Sequence, residues 1–145
     1  MIDPYKTCLE LAGANVLAFE TFGSYQGDWL AFVVHNGQKG IVKGSYGSCT
    51  VCDAFQSEFN YGEPYIFNGK YYNRENTSGK DCSKEEYEKA ITAYNQKLID
   101  FGKSYLTAPL YQKEYFERKL ETLDPKDRMD NEEAEWVKWA INQNW

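Results

Sequence analysis

The chain has 145 residues, 17% of them aromatic, and a formal net charge of −6 at pH 7. A chain of this length can bury a core without a metal or a disulfide, so we expect a single domain over residues 1–145. The acidic balance argues against direct nucleic-acid binding, because proteins that follow the phosphate backbone need clustered Lys and Arg.

The sequence also sets an expectation about the compartment. No basic leader precedes an apolar run, and no apolar stretch reaches the length of a membrane span. We therefore expect a cytoplasmic protein with no membrane partner. In a reducing compartment the four cysteines remain thiols, so we expect no disulfide framework.

The N-terminal third of the sequence predicts a short helix followed by a three-stranded sheet. Leu9 and Leu11, with small neighbours, predict a helix over residues 4–14. Segments rich in β-branched and aromatic residues follow, separated by turn residues. The predicted strands cover residues 16–22, 29–35 and 40–43. Asn36-Gly37 favours a type I′ turn, so the strands form a small antiparallel β-meander over about residues 15–46.

A glycine-rich segment with a Cys-x-x-Cys motif follows the third strand. Its sequence is Gly44-Ser45-Tyr46-Gly47-Ser48-Cys49-Thr50-Val51-Cys52-Asp53. Residues 54–59 predict a short helix with Ser48 as its N-cap. Residues 60–80 are rich in Gly, Asn and Tyr, which predicts a loop with one hairpin around Asn68-Gly69. This loop is a candidate recognition segment.

From Ser83 onward the apolar residues recur with a helical period. The three predicted helices begin at Ser83, Thr107 and Asp130. Ser83 and Glu86 form a capping box, and the first helix is expected to stop at Gly102. The fold is therefore predicted to be α+β, with a sheet-containing part over about residues 1–75 and a helical part over about residues 83–145.

Cys49 and Cys52 allow three interpretations. At a helix N-terminus Cys49 would be an activated thiol with Cys52 as its resolving partner, which is a redox pair. The spacing also suits half of a zinc site, completed by Cys8, Cys82 or His35. In the third interpretation the two cysteines pack a strand-to-helix junction. The hairpin-linked strands differ from a thioredoxin-like order and no second ligand pair is present, so we favour packing and expect no cofactor.

The sequence does not predict a catalytic site. His35 is the only histidine and lies beside a hairpin turn, where we expect a polar surface residue. Asp28 and Asp53 flank the glycine-rich turns and would suit a ligand or cation, but Asp is also a preferred turn residue. The Gly-Ser-Tyr turns at 23–25 and 44–46 lack the lysine and the spacing of a phosphate loop. We therefore expect a non-enzymatic protein.

Two surfaces are candidate partner-binding sites: an acidic cluster near the start of the last predicted helix, and the tyrosine-rich loop. Their candidate residues are Asp127, Asp130, Glu132, Glu133 and Glu135, together with Tyr65, Tyr71 and Tyr72. Acids at a helix start also act as caps, which is the alternative role for Asp130 and Glu133. As a binding face, the carboxylates would imitate nucleic-acid phosphates and attract a basic protein.

Two motifs resemble segments of small bacteriophage and prophage proteins of unknown function. They are Gly23-Ser24-Tyr25-Gln26-Gly27-Asp28 and Tyr46-Gly47-Ser48-Cys49-Thr50-Val51-Cys52-Asp53, within residues 15–59. The resemblance implies an acidic phage protein that binds a host enzyme inside the bacterial cell, as anti-CRISPR and anti-restriction inhibitors do. We therefore expect inhibition of a basic nucleic-acid-handling defence enzyme by protein–protein contact. The alternatives are a thiol oxidoreductase that uses the Cys-x-x-Cys, a zinc-binding module and a small-ligand binder.

Overall fold

The computed structural model describes residues 3–49, 51–76 and 78–145. The strands are β1 (Asn15–Gly23), β2 (Gly27–His35), β3 (Gln38–Tyr46), β4 (Tyr65–Phe67) and β5 (Lys70–Tyr72). The helices are α1 (Pro4–Leu11), α2 (Ala54–Glu58), α3 (Lys84–Leu106), α4 (Lys113–Thr122) and α5 (Arg128–Ile141). A short first helix, an antiparallel meander and a helical C-terminal half confirm the predicted α+β fold.

Two Asn-Gly turns connect the strands of the hairpins. The three long strands form an antiparallel sheet in the order β1-β2-β3, and β4 pairs with β5 in a separate hairpin. Asn36 and Gly37 have φ angles of 50° and 77°, and Asn68 and Gly69 have 49° and 72°. Both central residues of a type I′ turn need positive φ, so the predicted turn at each position is confirmed.

Both faces of the three-stranded sheet are buried, because side chains of β2 alternate between two cores. Trp29, Ala31 and Val33 are buried on one face, against α1 and α3. Leu30 and Phe32 are buried on the other face, against α4 and α5. Antiparallel sheets commonly leave one face in solvent. Burial on both faces explains why β2 is an unbroken apolar run in the sequence.

Aromatic rings fill the core between the sheet and the layer of α1 and α3. Tyr5 of α1 stacks on Trp29 with ring centroids 5.1 Å apart, and Phe19 of β1 also stacks on Trp29, at 5.7 Å. Tyr105 of α3 meets Trp29 edge-on at 5.1 Å. Each buried large side chain contributes about 1.5–3 kcal/mol, and each such ring pair adds about 0.5–1.5 kcal/mol. Part of the high aromatic content therefore serves the core.

Helix α3 passes through Gly102, where the sequence predicted its end. Its start is as predicted, since the Ser83 hydroxyl accepts the Glu86 N–H at 3.1 Å. Gly102 is buried where α3 crosses α1, and a Cβ at this position would collide with the carbonyl group of Cys8. The glycine therefore permits close helix packing. Neither α3 nor any other helix in the described residues is long and apolar enough to cross a membrane.

The second predicted helix does not start at Thr107; α4 starts at Lys113. Residues 108–112 are not helical, and Pro109 disfavours helical backbone at the residue before it. Tyr111 pairs with the edge of β3: the Tyr111 N–H donates to the Ile41 carbonyl and the Ile41 N–H donates to the Tyr111 carbonyl, both at 2.9 Å. These long-range backbone hydrogen bonds replace the predicted first turn of the helix.

Two helix starts are capped by aspartates rather than by the predicted residues. Asp53, and not Ser48, caps α2, because its carboxylate accepts the Gln56 N–H at 2.9 Å. Asp127, and not Asp130, caps α5, where its carboxylate accepts two backbone N–H groups of the first turn. Ser and Asp are about equally good caps. Local sequence therefore did not distinguish between cap residues only a few positions apart.

Candidate partner-binding site

One end of the sheet brings the two sequence motifs together. Gly27 at the start of β2 pairs with Tyr46 at the end of β3, so the β1–β2 turn lies beside the segment that carries the Cys-x-x-Cys. The Tyr46 hydroxyl donates a hydrogen bond of 2.9 Å to the Phe22 carbonyl at the end of β1. The two Gly-Ser-Tyr repeats therefore form one corner of the molecule.

The start of α5 and the β1–β2 turn enclose an open groove of about 870 Å³, which we call the acidic groove. Its lining includes Asp28, Lys43, Asp127, Met129, Asp130, Glu132, Glu133, Glu135 and Trp136. All five acidic residues selected from the sequence line this groove, and the structure adds Asp28 from β2. Six carboxylates against one lysine give the lining a formal charge of −5. Such a concentration of one sign of charge attracts a partner of the opposite sign.

Two of the groove carboxylates stabilise the start of α5. Asp127 accepts the N–H groups of Met129 and Asp130 at 2.9 and 3.1 Å. Asp130 in turn accepts the Asp124 N–H at 2.7 Å. Loss of a capping side chain typically costs about 1 kcal/mol. A variant of Asp127 would therefore change the helix as well as the charge of the groove.

Two lysines form ion pairs with carboxylates of the groove: Lys43 lines the groove, and Lys119 approaches Glu133 from α4 without lining it. The Lys119 Nζ atom lies 2.7 Å from a Glu133 oxygen, and the Lys43 Nζ atom lies 3.3 Å from an Asp28 oxygen. Both ammonium groups also lie over the Trp136 ring, at 5.7 and 4.9 Å from its centroid. The hydrogen bond with Glu133 raises the pKa of Lys119, although partial burial opposes this shift. Trp136, which lines the groove, thus lies close to two cations.

The rim of the groove carries exposed charge and exposed apolar side chains. Glu132 and Glu135 are exposed, and Glu132 makes only a solvent-exposed pair with Arg128 at 3.5 Å, which contributes little to stability. Met129, which lines the groove, is 77% exposed, and Tyr25, which lies between the lining residues Ser24 and Gln26 without lining the groove itself, is 81% exposed. Exposed aromatic and methionine side chains are enriched at protein–protein interfaces. The groove therefore combines negative charge with apolar contact points.

The tyrosine-rich hairpin lies away from the acidic groove, and none of its described residues lines that groove. Tyr65 stacks on Tyr72 with centroids 5.0 Å apart, and the Arg74 guanidinium lies over the Tyr65 ring at 4.6 Å. Tyr71 packs on Tyr87 of α3 at 5.1 Å. The selected tyrosines are thus engaged with one another and with α3, so the two candidate surfaces are separate.

The most exposed apolar side chains of the hairpin are Ile66 and Phe67, which are not among the candidate residues predicted from the sequence. They are 55% and 61% exposed. A two-stranded hairpin of three-residue strands has no second layer to bury both of its faces. The apolar run Tyr65-Ile66-Phe67 resembles a core strand in the sequence, which is why its exposure was missed.

A second cleft, of about 330 Å³, lies between α3 and the segment that follows α2. Phe59 and Tyr94 line it and meet edge-on with centroids 5.4 Å apart. Lys97 donates to the Glu58 carbonyl at 2.6 Å and lies over the Phe59 ring. The volume suits a small organic ligand. The small-ligand alternative concerned the glycine–aromatic turns, and no sequence signal connects residues as distant as Phe59 and Tyr94.

Cys49 and Cys52 are joined by a disulfide, so the expectation of four thiols was wrong. They lie in a turn before α2, and both are exposed, which does not agree with the packing interpretation. Cys8 is buried and Cys82 is half-buried, and both are free. A disulfide offers no thiolate to a metal. The described residues also hold no group of three or more His, Cys, Asp or Glu side chains that could bind a metal ion.

Asp53 is a buried carboxylate beside the disulfide. It accepts hydrogen bonds from the Tyr5 hydroxyl, the Gly47 N–H and the Gln56 N–H, each at 2.9 Å. Burial raises the pKa of Tyr5, the hydrogen bond from the Phe55 N–H lowers it, and the Asp53 carboxylate raises it further. Asp53 therefore connects α1, the end of β3 and α2, which is a structural role.

His35 ends β2 at the far end of the sheet from the acidic groove. Its Nδ1 atom is buried and has no hydrogen-bond partner among the described residues. Its Nε2 atom lies 3.4 Å from the Asn36 side-chain amide. The lone histidine is therefore separated from the carboxylates selected in the sequence.

The chain matches no protein-family model, no curated protein and no solved structure. The resemblance of residues 15–59 to phage proteins stays an expectation.

Proposed function

We propose that this protein is a non-enzymatic inhibitor, encoded by a phage, that binds a basic host defence enzyme through the acidic groove. The observation that supports this proposal most is the convergence of six carboxylates on one groove. Acids that are adjacent along one helix are common, but Asp28 comes from β2, far away in the sequence. Carboxylates from separate elements that face one groove produce a focused negative potential.

The chemistry of the groove fits a basic segment that also carries apolar side chains. Enzymes that handle nucleic acid present clustered Lys and Arg to the phosphate backbone. A protein that presents carboxylates to the same surface competes with the nucleic acid, and complementary charge accelerates the encounter. Met129 supplies an apolar contact in the groove, and the exposed Tyr25 lies next to the lining residues Ser24 and Gln26. Inhibition of this kind takes place in the bacterial cytoplasm and needs neither a cofactor nor a catalytic residue.

Glu132 and Glu135 are the carboxylates best placed to meet a partner. Asp28 and Glu133 already pair with lysines, and Asp127 caps α5. Glu132 and Glu135 are exposed and have no capping role. Charge reversal at these two positions therefore changes the groove with little effect on the fold.

A matched pair of double variants tests the proposal. The groove variant carries Glu132→Lys and Glu135→Lys, and the control carries Glu88→Lys and Glu117→Lys on exposed positions of α3 and α4, with the same change in net charge. Immobilised proteins are used to capture partners from a bacterial lysate, and captured enzymes are assayed for nuclease or DNA-binding activity. We expect wild type and control to capture and inhibit the same basic enzyme, and the groove variant to bind it at least about tenfold more weakly.

Four outcomes would contradict this proposal. Equal capture by the groove variant would exclude the acidic groove as the contact. Equal weakening by the control variant would attribute binding to net charge, and binding that is insensitive to salt would exclude an electrostatic contact. Loss of capture only on changing Ile66 and Phe67 to Ser would assign the contact to the hairpin instead.

A further inference from the structure

The disulfide turn, which carries Cys49 and Cys52, is an exposed chemical group that the acidic groove does not use. Both cysteines are exposed, and neither lines that groove. Val51, between them, is 93% exposed. An external thiol can therefore approach the Cys49–Cys52 bond without unfolding of the protein.

Backbone hydrogen bonds hold this turn independently of the bond between the sulfurs. The Cys52 N–H and the Asp53 N–H both donate to the Cys49 carbonyl, at 3.2 and 3.0 Å. The Asp53 carboxylate binds the N–H groups of Gly47 and Gln56 on either side of the turn. None of these hydrogen bonds involves a sulfur atom, so we expect them to persist when the disulfide is reduced. The two thiols then stay close together, which favours re-formation of the intramolecular bond.

Two N–H groups of the turn also point at the sulfurs. The Cys49 N–H lies 2.9 Å from the Cys52 Sγ atom, and the Cys52 N–H lies 3.1 Å from the Cys49 Sγ atom. Hydrogen bonds donated to a thiolate stabilise the charged form over the thiol. A thiolate is both the attacking group and the leaving group in thiol–disulfide exchange, so this arrangement favours exchange at the turn.

The other two cysteines lack these features. Cys8 is fully buried, and burial raises the pKa of its thiol to about 11. Cys82 is half-buried in a backbone bridge, where its N–H donates to the Tyr71 carbonyl at 2.7 Å. Thiol chemistry in the described chain is therefore expected at the turn rather than at Cys8 or Cys82.

We propose that Cys49 and Cys52 form a reversible redox site that exchanges with an external dithiol. A thiolate of the dithiol attacks one of the two Sγ atoms, the Cys49–Cys52 bond breaks, and the departing sulfur takes up a proton. The second thiol of the reductant then attacks the mixed disulfide, releases the second protein thiol and closes the reductant's own disulfide. Two electrons and two protons pass to the protein, and an oxidised dithiol reverses the reaction. This site is independent of the acidic groove.

Native protein titrated with mixtures of reduced and oxidised dithiothreitol tests the redox site. Samples are quenched with acid, alkylated, and weighed by intact mass spectrometry. We expect two thiols of the folded protein to appear and disappear together as the ratio changes, with alkylation at least about tenfold faster than at Cys8. Hydrogen exchange at the backbone amides of Asp53 and Gln56 is expected to stay slow in both states, because the turn persists.

Two variants assign the exchange to the turn. Cys49→Ser is expected to abolish the two-thiol step and leave Cys52 open to alkylation, while the control Cys82→Ser keeps the step. Reduction that needs denaturant would overturn the proposal, as would reduced protein that fails to re-form the bond in oxidised dithiothreitol. Rapid hydrogen exchange at all core amides after reduction would also overturn the proposal, since the disulfide would then be a structural cross-link. None of these outcomes bears on capture by the acidic groove.

Discussion

The hydroxyl of Tyr5 donates a hydrogen bond of 2.9 Å to Oδ1 of Asp53, a carboxylate that is only 5% exposed. The same hydroxyl accepts the Phe55 N–H at 3.2 Å. A buried carboxylate is costly unless donors surround it. One side chain of the first helix therefore stabilises the cap of α2 and the end of the disulfide turn.

Tyr5→Phe is expected to lower the free energy of unfolding by about 2 kcal/mol, because a charged hydrogen bond is lost and the Phe55 N–H is left without its acceptor. Urea unfolding measures the change. In an Asp53→Ala background the same substitution should cost at least about 1 kcal/mol less. Tyr105→Phe, in the same aromatic cluster, leaves the hydrogen bonds of Asp53 intact and serves as control. Equal effects of Tyr5→Phe in both backgrounds would contradict the assigned hydrogen bond.

Gly102→Ala is expected to destabilise the protein, although alanine has the higher helix propensity by about 1 kcal/mol. The added methyl group would meet the backbone carbonyl of Cys8, and backbone at a helix crossing cannot move aside without repacking. Thermal unfolding should show a lower Tm. Asn95→Ala, on an exposed position of the same helix, should raise the Tm or leave it unchanged. A Tm increase for Gly102→Ala would show that the two helices are not in close contact.

Stability is expected to fall as the pH rises above about 9, through the burial of Cys8. The folded state raises the pKa of this thiol from 9.0 to about 11, so in this range the folded protein holds a proton that the unfolded chain has released. Stability is fully present below pH 9, and the loss between pH 9 and 11 is on the order of 2 kcal/mol. Denaturant unfolding of wild type and Cys8→Ala over this pH range measures how much Cys8 contributes to the pH dependence of the free energy of unfolding. If the free energy of unfolding falls equally with pH in both proteins, the loss of stability belongs to the tyrosines instead.

Lys119→Met is expected to cost roughly 1 kcal/mol, because it removes the hydrogen-bonded, half-buried pair with Glu133. Arg128→Met removes the exposed pair with Glu132 and should stay within about 0.5 kcal/mol of wild type. Urea unfolding at low and high salt distinguishes the two. Salt should weaken the Arg128 pair more than the Lys119 pair. Equal costs would mean that the burial of Lys119 and Glu133 adds nothing to their attraction.

Features fixed by neighbouring residues could be predicted from the sequence. Ser83 caps α3 as expected, and the turns at Asn36-Gly37 and Asn68-Gly69 follow from the freedom of Asn and Gly to adopt positive φ. Features fixed by distant contacts were missed. Gly102 lies inside α3, where the absence of a side chain lets the carbonyl group of Cys8 approach, and Tyr111 leaves a helical pattern to pair with β3. Neither contact has a signal within a local window of sequence.

In the candidate site too, features fixed by neighbouring residues could be predicted and features fixed by distant contacts could not. The acids near the start of α5 stand out in the sequence, but the strand carboxylate Asp28 joins them only in the folded chain. The pairing of Lys43 and Lys119 with two of the carboxylates was also not predictable, because both lysines come from other elements. The disulfide was missed because thiols were assumed from the expected compartment and not from the geometry of the turn.

The burial of β2 on both faces divides the interior into two separate clusters of buried side chains, one on each side of the strand. Val33 packs towards α1 and α3, whereas Val137 packs on the opposite side of the sheet. Truncations such as Val33→Ala and Val137→Ala should therefore be additive to within about 0.5 kcal/mol. Each helical layer can accumulate substitutions and repack without disturbing the other, so the two halves of the core are free to diverge at different rates.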